Sequence, residues 1–233
     1  MSPVRAVLFD AVGTLIELRR SVGEIYADAA RRHGVDLPAW RIDDAFTRIL
    51  AQATPMVFPS LPPAETAVRE RAWWHQVVRA TFRATDQQAR FQTFDACFEE
   101  LWQRFAGPEV WRARPQASQT LRSLKAAGLA TGIVSNFDQR LPKLLDRLGL
   151  RRDLDALVLP AHVGAAKPDR RIFEQALADL GLPAAQAAYV GDDATRDLAG
   201  ARAAGLAAID VTSLATLAEL PALLVGRSSE APS

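Results

Sequence analysis

Few cysteines and no long apolar runs limit what this chain of 233 residues can be. Its single cysteine, Cys97, excludes an internal disulfide framework. No segment reaches the roughly 18 apolar residues of a membrane span, and no charged segment followed by an apolar stretch opens the sequence as a secretory signal would. We therefore expect a cytoplasmic protein without a membrane partner, in which Cys97 is a buried packing residue.

An excess of charge of either sign is also missing. The chain has 28 basic and 27 acidic residues, and its formal net charge is +1. No global field would attract nucleic acid or an anionic membrane, so nucleic acid is not an expected partner. Hydrophobic residues make up 49% and charged residues 24%, as in ordinary globular proteins. Nothing in these numbers indicates an oligomeric state.

Lysine is rare, since only Lys125, Lys143 and Lys167 stand among the 28 basic residues. The chain uses arginine almost everywhere else. Lys125 and Lys143 fall on exposed faces of predicted helices, whereas Lys167 stands in a loop before a proline. A compact charge on a flexible stem differs chemically from a planar guanidinium, so Lys167 is a candidate site residue.

The order of apolar segments predicts an α/β fold that a group of helices interrupts. The run "VRAVLFDA" suits a strand buried on both faces, and the following segment up to about residue 105 has helical spacing. From residue 108, strands and helices alternate as in the βαβ units of a parallel sheet. We predict an α/β core with a Rossmann-like parallel sheet at 1–18 and 108–225, an all-helical insertion at 19–107 and a flexible tail at 226–233.

Polar side chains follow three of the predicted strands. They are Asp10, Ser135, Asn136, Asp192 and Asp193. Because the carboxyl ends of parallel strands lie along one edge, where open α/β sheets bind ligands, we expect these side chains to converge there, with Lys167 arriving from a loop. Taken singly, an Asp after a strand is usually a turn or capping residue. For Asp193, capping and a role in the site both stay open.

The segment "GDDATRD" places Asp192, Asp193 and Asp197 within six residues. Carboxylates at this density repel one another unless a cation or a lysine balances them. Oxygen ligands of this kind suit Mg²⁺, and we assign the metal to Asp192.

Four segments, "FDAVGTL", "VSN", "GAAKPDRRIF" and "VGDDATRDLAGARAAGL", resemble in order and spacing the four motifs of the haloacid dehalogenase-like (HAD) hydrolase superfamily. The inserted helices are similar to its C1-type cap, as in HAD subfamily IA. The resemblance covers about residues 3 to 212 and implies a hydrolase. It does not choose the reaction, because the superfamily includes phosphatases, phosphomutases, phosphonatases and dehalogenases.

The resemblance implies a role for each matching residue. Asp10, Lys167 and Ser135 would be catalytic, and Asp10 would be the nucleophile that forms an aspartyl-phosphate. Thr14 and Ser135 would bind the phosphoryl oxygens with support from Asn136. Lys167 would neutralise charge on Asp10 and on the phosphoryl group.

The same resemblance implies a metal site. Asp10 and Asp192 would hold Mg²⁺ together with the backbone carbonyl of Val12. Asp193 and Asp197 would support these ligands without binding the metal themselves.

Val12 departs from the phosphatase pattern of this superfamily. Phosphatases generally carry a second Asp there, which protonates the leaving group and then activates water, and valine cannot transfer a proton. Dehalogenases typically carry Tyr and phosphonatases Ala. The carboxylates of "GDDATRD" argue against a dehalogenase, which needs no metal, and the lack of lysine between residues 21 and 105 argues against a phosphonatase.

Other residues could replace the missing acid or recognise the substrate. The candidate acids are Glu17, Tyr26, His33 and His75, and an anionic substrate could use Arg19 and Arg20. We expect a Mg²⁺-dependent phosphatase for a small anionic, phosphorylated metabolite. The alternatives are a metal-independent 2-haloacid dehalogenase and a phosphate- or partner-binding protein with little turnover.

Overall fold

The structure, a computed structural model, describes residues 3–86 and 91–225. Within these residues, the main sheet has five parallel strands: β1 (Ala6–Phe9), β4 (Ala130–Val134), β5 (Ala156–Val158), β6 (Ala187–Gly191) and β7 (Ala207–Asp210). Their order across the sheet is β5-β4-β1-β6-β7. Two short strands, β2 (Ile16–Leu18) and β3 (Trp111–Ala113), pair in a separate sheet that the sequence did not predict.

Strand β1 lies in the middle of the sheet. Leu8 is opposite Gly132 on one side and opposite Tyr189 on the other. All four residues of β1 are completely buried, which explains why the strand is apolar without alternation. The predicted parallel α/β sheet is therefore confirmed.

Helices lie between the strands of this sheet in the chain and after its last strand, β7. They are α5 (Ala117–Ala126), α6 (Leu141–Arg147), α7 (Pro160–Val163), α8 (Arg170–Leu180), α9 (Gly200–Ala203) and α10 (Leu220–Val225). Between β6 and β7, where the alternation of strands and helices predicts a regular helix, the chain first forms a turn of π-helix at Ala194–Ala199 and then α9. The turn is wide because the Leu198 N–H donates to the carbonyl of Asp193, five residues earlier, at 3.1 Å.

The described residues between β2 and β3 form four helices: α1 (Val22–Arg32), α2 (Ala39–Gln52), α3 (Pro63–Ala84) and α4 (Phe94–Ala106). Ser21 and Glu24 form a capping box that starts α1. Tyr26 packs against the rings of Phe46, Phe82 and Phe105. Cys97 is completely buried in α4, and burial raises the pKa of its thiol to about 12, which fits a packing role.

The chain divides into two compact units. Among the described residues, the α/β unit contains those up to Glu17, the short segment Val57–Ser60 and those from Ala113 to Val225. The described residues of the helical unit lie within Leu18–Met56 and Leu61–Arg112. The domain limits given by the sequence stay predictions, and the predicted tail at 226–233 lies outside the described residues. In the described part of the chain, no helix is both long and apolar enough to cross a membrane.

Candidate active site

The carboxyl edge of the sheet gathers the residues that follow β1, β4 and β6. The Asp10 N–H donates to Val190 O at 2.9 Å and thereby extends the pairing of β1 with β6 by one residue. The Ser135 N–H donates to Val158 O at 3.2 Å and extends β4 in the same way. Asp192 directly follows β6. Because the strands are parallel, the three loops leave the sheet at one edge.

Lys167 lies in a buried hydrogen-bond network at this edge. Its Nζ atom donates to Asp10 Oδ1 at 2.6 Å, to Asp197 Oδ1 at 2.5 Å and to the Tyr189 hydroxyl at 2.8 Å. Each of these residues is at most 8% exposed. A buried ammonium is tolerated where charged partners and hydrogen bonds replace its water. The structure therefore brings the scarce lysine directly to the predicted nucleophile.

Asp197 supports the network from inside the turn of π-helix. Its Oδ2 accepts the backbone N–H groups of Asp192 at 3.2 Å and of Asp193 at 3.1 Å. Gly191 permits this close approach, because a Cβ at that position would lie 2.5 Å from Asp197 Oδ2. Asp197 is predicted to support the metal ligands, and in the structure it also contacts Lys167 directly.

Three carboxylates lie close together at this edge, and Lys167 contacts two of them, Asp10 and Asp197. One oxygen from each of Asp10, Asp192 and Asp197 lies within 4.8 Å of the other two. Burial raises the pKa of Asp10, against the opposing attraction of Lys167. Asp192 is exposed as a residue, but neighbouring atoms partly desolvate its carboxyl group. This desolvation, with a smaller contribution from repulsion by Asp10 and Asp197, raises the pKa of Asp192 to about 6. The excess negative charge is of the kind that a divalent cation balances.

The loop that follows β1 passes close to Asp192. Gly13 has a φ angle of +87°, and a Cβ there would lie 2.2 Å from Asp192 Oδ2, so this turn requires glycine. Arg114 holds the loop through its Nη1, which donates to Gly13 O at 2.6 Å, and through its N–H, which donates to Leu15 O at 2.9 Å. Val12 is 37% exposed at the same turn, and its side chain offers no proton.

The predicted phosphoryl-binding residues are engaged in different ways. The Thr14 hydroxyl is completely buried and has no hydrogen-bond partner among the described residues. Ser135 is 3% exposed. Asn136 binds the backbone of Lys167, since its Oδ1 accepts the Lys167 N–H at 2.7 Å and its Nδ2 donates to the Lys167 carbonyl at 3.0 Å. A buried hydroxyl without a partner is costly, and the role of Thr14 as a phosphoryl-binding residue stays a prediction.

Asp193 caps the turn that follows β6. Its Oδ1 accepts the N–H groups of Thr195 at 2.9 Å and of Arg196 at 2.7 Å, and Arg196 Nε donates to Oδ2 at 2.8 Å. Partial burial alone would raise the pKa of Asp193, but the bonds from Arg196 and Thr195 outweigh it and lower the pKa. This geometry supports capping, one of the two alternatives that the sequence left open.

The sequence candidates for the missing acid have other partners. The pairs are Glu17 with Arg114 at 3.7 Å, His33 with Glu100 at 3.1 Å and His75 with Asp95 at 2.8 Å. Tyr26 is 3% exposed among its phenylalanine neighbours. Each group would have to leave these contacts to serve a substrate, and the proton donor stays a prediction.

Two residues near the site were not predicted. Tyr189 stands in an apolar strand. A buried tyrosine hydroxyl usually has a hydrogen-bond partner, so this hydroxyl was the only sequence feature that could have indicated a polar contact there. Burial, together with the charges of Asp10 and Asp197, raises the pKa of Tyr189 well above its usual value and keeps it neutral. Nothing in the sequence distinguishes Arg114 as a residue near the site, because arginine is common throughout this chain.

The parallel sheet and its carboxylate-rich edge define an α/β protein with a site built around Asp10 and Lys167. A family model for haloacid dehalogenase-like hydrolases matches residues 4–205. The chain belongs to the haloacid dehalogenase-like hydrolase family, which confirms the resemblance seen in the four motifs.

Named relatives and solved structures agree with this family. "Haloacid dehalogenase-like hydrolase domain-containing protein 3" of Mus musculus is 38% identical over 206 residues, which cover 87% of this chain and 80% of that protein. A HAD phosphatase from Thermococcus onnurineus has a TM-score of 0.63 at 22% identity, with 96% of this chain and 99% of that chain covered. An L-2-haloacid dehalogenase from Xanthobacter autotrophicus has a TM-score of 0.67 at 21% identity, with 97% and 85% covered. The two structures share the fold and do not choose a reaction.

Proposed function

We propose that this chain is a Mg²⁺-dependent phosphatase that acts on a small phosphorylated metabolite through an aspartyl-phosphate on Asp10. The observation that carries the proposal is the buried contact between Asp10 and Lys167 beside two further carboxylates, Asp192 and Asp197. This arrangement joins a carboxylate nucleophile to the positive charge that phosphoryl transfer requires.

The residues present fit Mg²⁺. Asp10 and Asp192 would hold it with carboxylate oxygens, and Val12 would add its backbone carbonyl. Desolvation and repulsion from Asp10 and Asp197 raise the pKa of Asp192, and a divalent charge would favour its ionised form against both. Asp197 already accepts bonds from Lys167 and from two backbone N–H groups, so it supports the site without binding the metal. When bound, Mg²⁺ supplies positive charge that stabilises the phosphoryl group during transfer.

The chain's own residues account for the two chemical steps. A carboxylate oxygen of Asp10 forms a bond to phosphorus, and the bond from phosphorus to the leaving oxygen breaks with its electron pair. A water oxygen then bonds to the phosphorus, and the bond from phosphorus to the Asp10 oxygen breaks with its electron pair. This restores the Asp10 carboxylate and releases dihydrogen phosphate, which carries both protons of the water. Thr14 and Ser135 would donate hydrogen bonds to the phosphoryl oxygens, and Lys167 balances charge at Asp10 throughout.

With valine at position 12, the site lacks the usual proton donor for the leaving group. A general acid contributes about 10²–10⁴ in rate, and Val12 cannot act as one. Phenyl and acyl phosphates release stable anions and need no proton, whereas alkyl phosphates do. We therefore propose that the enzyme prefers phosphates with good leaving groups, unless another residue supplies the proton.

The lack of a proton-transferring side chain at Val12 is also compatible with a second candidate function. Displacement of halide from carbon by Asp10 would need neither a metal nor an acid, as in a 2-haloacid dehalogenase. Against it stand Asp192 and Asp197, which add negative charge beside the site that an anionic haloacid would enter.

One panel of reactions separates these functions. Release of p-nitrophenol from p-nitrophenyl phosphate, and of phosphate from acetyl phosphate, is measured with Mg²⁺ and with a chelator, and chloride release from 2-chloropropionate is measured without metal. We expect hydrolysis of both phosphates that needs Mg²⁺ and disappears in Asp10→Asn. Metal-independent chloride release without phosphatase activity would favour the dehalogenase. A phosphate-mimic adduct on Asp10 without turnover would favour a binding protein.

A further inference from the structure

We propose that Tyr189 is a positioning residue that directs the ammonium group of Lys167 toward Asp10. Tyr189 lies in the buried middle of β6 and outside the motif residues discussed above. The kinetic part of its test rests on the proposed phosphatase function, whereas the spectroscopic part does not.

The donors of Lys167 match the acceptors around it in number. A lysine ammonium has three N–H donors and no acceptor. Among the described residues, its acceptors are Asp10 Oδ1 at 2.6 Å, Asp197 Oδ1 at 2.5 Å and the Tyr189 hydroxyl at 2.8 Å. Two of these acceptors are charged and one is neutral. Without the Tyr189 hydroxyl, one N–H of a buried cation would lack a partner, which is unfavourable.

The Tyr189 hydroxyl is itself held in place. It lies 3.0 Å from Val134 O and 3.0 Å from Asp197 Oδ1, so its single proton has an acceptor while its oxygen accepts from Lys167. The ring is completely buried and packs edge-on against Phe173, with the ring centroids 5.1 Å apart. The hydroxyl is therefore a fixed point at the end of a rigid side chain.

Lys167 needs such a fixed point because its own stem is flexible and because two carboxylates compete for it. Asp197 is as near to the ammonium as Asp10 is. With one N–H on Tyr189 and one on Asp197, the third is directed at Asp10. Electrostatic stabilisation depends on charge that is already in place, so a loosened ammonium slows the chemical step more than it weakens substrate binding.

Substitution Tyr189→Phe removes one oxygen atom and leaves the ring. The first readout is the ¹H–¹⁵N spectrum of the lysine ammonium groups, which is simple because the chain has three lysines. The Lys143 residue is exposed and the Lys125 side chain is 37% exposed, whereas the Lys167 side chain is 3% exposed. We therefore expect the ammonium groups of Lys125 and Lys143 to exchange protons faster than that of Lys167. The protected signal is assigned to Lys167 by its loss in Lys167→Arg.

We expect Tyr189→Phe to raise the proton-exchange rate of the Lys167 ammonium at least about tenfold, as the loss of a hydrogen bond to a charged group implies. The Lys125 and Lys143 ammonium groups should not change. A Lys167 signal that keeps its wild-type exchange rate in Tyr189→Phe would overturn the proposal.

The second readout is kcat and KM for p-nitrophenyl phosphate. We expect kcat to fall about ten- to a hundredfold, with KM within about twofold of the wild-type value. Ile172→Val, a conservative change at a buried position of the same core, is the control for lost stability and should keep kcat. An unchanged kcat in Tyr189→Phe would contradict the proposal. If the wild-type protein shows no Mg²⁺-dependent activity, the proposed function fails, and the exchange rate alone decides the role of Tyr189.

Discussion

Lys167 and Asp10 stand 157 residues apart in the sequence, yet Lys167 Nζ lies 2.6 Å from Asp10 Oδ1 in a buried ion pair. Burying two charges removes both from water, so such a pair adds little net stability compared with a well-packed apolar pair. Its position beside Asp192 and Asp197 is better explained by chemistry at the Asp10 carboxylate. Predictions for this site therefore concern charge, metal and proton transfer.

Lysine at position 167 should not be replaceable by arginine. Lys167→Arg keeps the charge but puts a planar guanidinium where a compact ammonium contacts three oxygen atoms. Loss of one preorganised electrostatic group costs about 10²–10³ in rate, and we expect kcat/KM for p-nitrophenyl phosphate to fall by that factor. Lys143→Arg, at an exposed position of α6, is the matched control and should retain wild-type activity. Comparable activity in the two variants would contradict the proposed role of Lys167.

The substitution Asp192→Asn should raise the Tm of the protein without metal and lower it relative to wild type when Mg²⁺ is bound. Its pKa in the folded protein is raised to about 6, so the folded state disfavours its charged form. A raised carboxyl pKa means that stability is lost as the pH rises from the unfolded value toward about 6. In chelator at about pH 7.5, Asp192→Asn should therefore have a higher Tm than the wild type, and this difference should vanish as the pH falls below about 4.

Added Mg²⁺ should reverse that order. Binding to the folded state alone stabilises it by about 2.7 kcal/mol at a concentration of 100 times Kd, and Asp192→Asn should lose this gain. Asp146→Asn, at an exposed position of α6, serves as the control and should respond to Mg²⁺ as the wild type does. An equal Mg²⁺-induced rise in Tm in wild type and Asp192→Asn would count against a metal ligand at Asp192.

A side chain at Gly13 should impair the site as well as strain the backbone. Its φ angle is +87°, and a Cβ would lie 2.2 Å from Asp192 Oδ2. Gly149, in the same α/β unit, has a φ angle of +72° and no atom within 4 Å of an added Cβ. Both alanine variants should lose about 1–2 kcal/mol from backbone strain, but Gly13→Ala should in addition need more Mg²⁺ for half-maximal activity, by about tenfold or more. If both variants need the same Mg²⁺ concentration for half-maximal activity, the close approach of Gly13 to Asp192 does not affect metal binding, and the prediction is wrong.

The sequence predicts the parallel sheet well because apolar strands alternate with amphipathic helices along the second half of the chain. That topology alone makes the loops carrying Asp10 and Asp192 leave at one edge. The rarity of lysine gave an independent reason to single out Lys167, which the structure shows in contact with Asp10.

Other features depend on how far side chains reach, which sequence patterns do not encode. Tyr189 has the pattern of a buried strand residue, and only the structure shows its hydroxyl at Lys167. Asp197 reaches Lys167 through a turn of π-helix where a regular helix was expected. Asn136 binds the backbone of Lys167 because two separate loops meet, and no local pattern indicates that meeting.

Val12 provides the sharpest test of how the leaving group departs. Val12→Asp restores a carboxyl group at the position where phosphatases of the family carry one, and Val12→Asn adds a side chain of the same shape that cannot transfer a proton. We expect Val12→Asp to raise kcat/KM on an alkyl phosphate such as glycerol phosphate at least about tenfold, within the 10²–10⁴ range of general acids. Activity on p-nitrophenyl phosphate should rise much less, because its leaving group needs no proton. An equal effect on both substrates, or an equal effect of Val12→Asp and Val12→Asn, would show that the missing acid does not belong at position 12.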